Sequence, residues 1–158
     1  MDIPKVYKGY PVVVSDRDWK LSSDIIAGVN PLNDPLGKVI RVYDSDYITE
    51  EVLTHEYAHL KLGHHSETAL EHIKNEAQAD RLANKVRTGH SQLSSSQIAH
   101  IILKLQVYMP DYFIENPGRS GWKTVERYIR ARNRRFGLSE NEVSRGFKYL
   151  REHQGEEI

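Results

Sequence analysis

Residues 49–63 constrain the fold most, because both ends of the segment are marked and its middle is chemically unusual. Thr49 is a helix-capping residue type, and Glu50 and Glu51 suit the positive end of a helix dipole. Gly63 stands just past the last apolar residue and supplies a stop. The helix predicted between them carries His55, Glu56 and His59 near its centre. Residues four apart lie on one helix face. Wherever this helix packs, it must therefore hold two imidazoles side by side.

What surrounds it predicts an α+β chain. Residues 10–14 are rich in valine, residues 25–29 form a short apolar run, and residues 39–43 read as a strand. A turn-rich loop over 30–37, with Pro31, Pro35 and Gly37, separates the last two. These suggest a small N-terminal sheet of two or three strands, followed by the His-bearing helix and further helices. A second helix is expected over about 66–88, with Ala69, Ile73, Ala77, Ala83 and Val86 at helical spacing and Gly89 as its end. A third runs from Ser94 or Ser95 to Met109, where Pro110 stops it. A fourth spans about 120–135, ended by Gly137. The last opens at Ser139, with Glu142 placed for a capping box and Leu138 and Val143 for a hydrophobic staple. The turn Asn116-Pro117-Gly118 suggests a division into residues 1–115 and a mostly helical extension, 116–158.

The chain has no cysteine, so disulfides and thiolate metal sites are excluded. No apolar run approaches the ~18 residues of a membrane span. The first twenty residues carry seven charged side chains, which argues against a signal-peptide core. A soluble, cytoplasmic protein is expected. Charge is unevenly spread. Residues 1–118 hold 12 basic and 16 acidic side chains, net −4, whereas residues 119–151 hold 10 basic and 3 acidic, net +7.

His55, Glu56 and His59 form a His-Glu-x-x-His run. Without cysteine, a transition metal must be held by histidine and carboxylate, and Zn2+ suits two imidazoles and one carboxylate. Glu56 is offset by about a quarter turn from the ligand face. It should miss the metal but reach a water beside it and act as general base. The third ligand has several candidates: Glu76, His65, His64 and His72. His65 would suit the pattern His-Glu-x-x-His-x-x-Gly-x-x-His, but Leu62 occupies the position that needs glycine. Glu76 fits better. It shares a helix face with Asp80, four residues on, so one carboxylate can bind metal and the other can support a ligand imidazole.

The stretch HEYAHLKLGH, residues 55–64, followed by NEAQADRLA, residues 75–83, resembles the ImmA/IrrE family of metallopeptidases within the gluzincins. The resemblance covers roughly residues 20–90. It implies a zincin-like fold, zinc held by His55, His59 and Glu76, Glu56 as general base, and endoproteolysis of a specific intracellular protein. Members of that family often cut a helix-turn-helix repressor. The chain departs from the family pattern after the second motif, where Lys85-Val86-Arg87-Thr88-Gly89 replaces an apolar stretch ending in Met-Pro.

Residues 39–43 are equally a candidate edge strand for pairing with a peptide substrate and a buried central strand. Tyr43, Tyr57, His64, His65 and His90 are candidates to donate to a developing oxyanion. Tyr57 lies about 200° round the helix from both histidines and is expected in the core. The basic residues of 119–151 read first as a solvated face, and second as a weak, salt-sensitive nucleic-acid contact. The alternative to an enzyme is thus a nucleic-acid-associated regulatory protein whose zinc site is structural.

Overall fold

The computed structural model describes residues 1–15, 25–65, 68–108 and 119–153. The expected linker at 116–118, the stop at Pro110 and the start of the second helix at Ser66 lie outside them. The chain is α+β. It has a four-stranded sheet of order β1-β2-β4-β3, made by β1 (Val6–Tyr7), β2 (Tyr10–Val14), β3 (Ala27–Gly28) and β4 (Ile40–Val42). The helices are α1 (Glu50–Lys61), α2 (Ala69–Thr88), α3 (Ser95–Tyr108), α4 (Arg119–Ala131), α5 (Asn133–Phe136) and α6 (Glu140–Glu152). By packing it divides into two units: Met1–His65 with Arg81–Ser91, and Ser66–Asp80 with Gln92–Ile158.

The first unit is built on the sheet. β1 and β2 form a hairpin whose two turn residues both have positive φ, 46° at Lys8 and 90° at Gly9. Those signs match the twist of the flanking strands. β2 pairs with β4 in parallel, Val12 opposite Ile40 and Val14 opposite Val42. β3 closes the other side of β4 antiparallel, Ala27 opposite Val42. β4 is therefore a central strand with Ile40 and Val42 fully buried. Of the two readings of residues 39–43, the edge strand is overturned. The one strand beyond the three candidate segments, β1, is a two-residue ladder, too short to leave a period-two pattern.

The loop over 30–37 is tied to the sheet by a two-pronged ion pair. Arg41 Nε donates to Asp34 Oδ2 at 2.8 Å and Nη2 donates to Oδ1 at 2.7 Å. Leu36 N–H adds a third bond to Asp34 Oδ1 at 3.0 Å. The guanidinium hydrogen bonds, followed by the Leu36 N–H, hold the Asp34 carboxyl below its usual range against a smaller opposing effect of burial.

The second unit is helical. Its core joins Ile73 and Ala77 of α2 to Ile98, Ile101 and Ile102 of α3, Ile129 of α4, Phe136, and Phe147 and Leu150 of α6. Gly146 lets α6 approach α3 closely: a Cβ there would lie 2.5 Å from Ile98 Cγ2. α6 begins as the sequence predicts. Ser139 Oγ accepts from Glu142 N–H at 3.1 Å, and Glu142 Oε1 accepts from Ser139 N–H at 2.9 Å. Leu138 and Val143 beside this box are both buried. The single helix expected over 120–135 is instead broken at Arg132, whose φ is −130°. There the guanidinium lies 4.1 Å from the Tyr128 ring centre and donates to the Tyr128 carbonyl at 3.3 Å. Gly137, with φ 69°, ends α5 as expected.

Candidate metal centre

α1 starts where Thr49 Oγ1 accepts the N–H of Val52 at 3.2 Å. Its buried side reaches the sheet through Leu53 and Leu60, and Thr54 joins them by bonding to the Glu50 carbonyl and the Tyr7 hydroxyl. Tyr57 packs on the same cluster, edge-on to Tyr7, as its helical angle predicts. These anchors leave His55 and His59 on a different face.

The two imidazoles converge. Their Nε2 atoms are 3.1 Å apart, with the ring planes at 84°. Two nitrogens bound tetrahedrally at roughly 2.05 Å from zinc stand about 3.3 Å apart. The 3.1 Å separation of the pair is close to that value.

Glu76 lies on α2 and is 5% exposed, a low value for a carboxylate. His55, His59 and Glu76 each offer one ligand atom, and these atoms all lie within 4.8 Å of one another. The donor set, two neutral nitrogens and one anionic oxygen with a further position open, fits a divalent metal of zinc type.

Glu76 is also held from the side. Lys104 of α3 donates to its Oε2, and His72 Nε2 lies 3.7 Å from Oε1. A carboxylate has about four lone-pair sites, so Lys104 leaves donor capacity for a metal. Sequence reasoning missed Lys104. Its one visible signal was a lone cation following Ile101, Ile102 and Leu103.

The helix end beyond His59 has a defined shape. Gly63 has φ 67°, its N–H donates to the Leu60 carbonyl at 3.2 Å, and the His64 N–H donates to the His59 carbonyl at 3.0 Å. These are the two bonds of a Schellman turn. They bring His64 back over the last turn, where its Nδ1 lies 3.0 Å from His59 Nδ1. Leu62 is right-handed at φ −84° and His65 is exposed. His65 does not belong to the three-residue metal group.

Glu56 is half-buried, one residue past His55. The Tyr43 phenol is held above its usual range, chiefly by burial, against Arg41 and with help from the charges of Asp34 and Glu56. It keeps its proton at neutral pH. Asp80 is half-buried on α2, four residues after Glu76. His90 is exposed.

Comparison with protein-family models, curated proteins and solved structures returns no match. Among the described residues, no helix is long and apolar enough to cross a membrane.

Proposed function

We propose that this chain is a zinc-dependent endopeptidase of zincin type, in which His55, His59 and Glu76 hold the metal. The observation that carries the proposal is the 3.1 Å convergence of two Nε2 atoms inside a His-Glu-x-x-His helix, with Glu76 in the same group. The resemblance of residues 55–64 and 75–83 to the ImmA/IrrE metallopeptidases supports it. It also points to a cytoplasmic setting and to a helix-turn-helix repressor as substrate.

When bound, zinc would acidify a water and polarise the scissile carbonyl. The chain supplies the rest. Glu56 stands off the ligand face and accepts the attacking water's proton, which it then passes to the leaving amine. Asp80, one turn on from Glu76, is assigned to support a ligand imidazole. Because β4 is central, an extended peptide would add to the edge strand β3 rather than to β4.

The alternative, a structural zinc in a nucleic-acid-associated protein, draws on the exposed side chains of Lys123, Arg127, Arg134 and Arg135. Other basic groups are committed internally. Arg145 donates to the Leu93 carbonyl, and Arg130 and Arg151 share Glu126. That division weakens the basic surface. Loss of retention on DNA between low and moderate salt would mark what remains as sequence-independent attraction.

Glu56→Gln tests the enzyme reading. The variant should keep one zinc per chain while cleavage of the repressor substrate falls by about 10²–10⁴-fold. Loss of zinc would make Glu56 a ligand, and cleavage at the parental rate would remove it as the base.

A further inference from the structure

We infer that His64 accepts a hydrogen bond from His59 Nδ1–H and fixes the tautomer in which His59 can bind metal. The inference rests on His55 and His59 being ligands.

Three observations meet here. The Nδ1 atoms of His59 and His64 are 3.0 Å apart, within hydrogen-bond range. The rings are 5.2 Å apart at 67°. The backbone places them so through the turn at Gly63 and the bond from His64 N–H to the His59 carbonyl.

The hydrogen-bond bookkeeping leaves one arrangement for a metal-bearing site. A neutral imidazole has one N–H and one lone pair. His59 must turn the Nε2 lone pair to the metal, so its proton sits on Nδ1. The atom facing that proton is His64 Nδ1, which must accept, so the His64 proton sits on Nε2. The 3.1 Å contact between the Nε2 atoms of His55 and His59 is a hydrogen bond only if one of the two carries a proton, and a metal held by both nitrogens would replace that bond. Both rings then carry their protons on Nδ1, and for His59 the group that accepts from it is His64 Nδ1. His64 is therefore a positioning residue. Partners of this kind commonly govern metal affinity by 10–100-fold when removed.

The test uses the full chain, with zinc as the probe and a chelator as competitor. His64→Ala should lower zinc affinity about 10–100-fold. His64→Asn, whose Oδ1 can stand near the lost Nδ1, should recover affinity to within about threefold of the parent. His65→Ala should match the parent. In 15N-histidine protein loaded with zinc, His59 should carry its proton on Nδ1 and His64 on Nε2. Full affinity in His64→Ala, equal loss in His64→Ala and His64→Asn, or a His64 proton on Nδ1 would each overturn the inference. A parent chain that takes no zinc would overturn the metal centre itself. That failure is read from the parent before any variant is compared.

Discussion

α1 and α6 are nearly equal in length, 12 and 13 residues, yet they are built to different ends. α6 buries one charged side chain, Glu142, and that one belongs to its cap. Val143, Gly146, Phe147 and Leu150 recur at three- and four-residue steps and are all buried, and a reciprocal capping box closes its start. α1 has a single threonine cap and buries Thr54 among its apolar residues. Its remaining face goes to His55, Glu56 and His59. One helix is optimised for packing. The other gives up packing to hold polar groups close together, as functional sites commonly do.

The contrast predicts opposite responses to alanine. Phe147→Ala should cost about 3–5 kcal/mol in denaturant-induced unfolding followed by helical circular dichroism, because the side chain is fully buried. His55→Ala should abolish zinc binding but shift the metal-free unfolding midpoint far less, since that residue is half-buried and polar. A Phe147→Ala loss under about 1 kcal/mol would break the comparison.

A smaller effect probes how α3 bears on Glu76, the proposed metal ligand. Lys104 stabilises the metal-free carboxylate of Glu76 and opposes a second cation beside it. Lys104→Met should tighten zinc binding about tenfold, or about 1.4 kcal/mol. A weaker affinity in the variant would show that Lys104 instead holds Glu76 in its ligating position.

The smallest effect lies in the loop clamp. The Asp34 carboxyl is depressed in the folded chain, so the unfolded chain binds the proton more tightly. The stabilisation is complete above the ordinary value of 3.8 and is lost as pH falls through the lower folded value. Thermal melts of the parent and Asp34→Asn should differ at pH 7 and converge in strong acid. A constant gap down to the acid limit would sever the link to this carboxyl.

The parts legible in the sequence were those set by neighbours in the chain. The α6 capping box, the stop at Gly137 and the spacing of His55 and His59 each need only a few residues to be read. β1 is two residues long and was not expected, whereas β3 was visible as the apolar run 25–29, with its two paired residues set by the distant strand β4. The break at Arg132 has no glycine or proline to mark it, and it coincides with a guanidinium set over the Tyr128 ring. Gly63 was readable as a helix end, but not that the turn would aim the His64 ring at His59. Lys104 reaches Glu76 across 28 positions of sequence, beyond any local rule. The Ile40–Val42 strand was visible, while its place in the sheet depended on which strands flanked it.

Parallel pairing of β2 with β4 sets a timetable for the chain's assembly. Val12 and Ile40 are 28 residues apart, and no tight turn can join parallel strands. That closure must lose loop entropy before it gains contacts, so it belongs among the slow steps of folding. The histidine pair needs only one turn of helix, which forms in about a microsecond or less. A helix of 12 residues is marginal alone, so on a nascent chain the two imidazoles meet early but only transiently, until β2 finds β4 and the sheet anchors their helix. Zinc present during synthesis would meet a two-histidine half-site first, and its retention would report how quickly the rest of the fold closes around it.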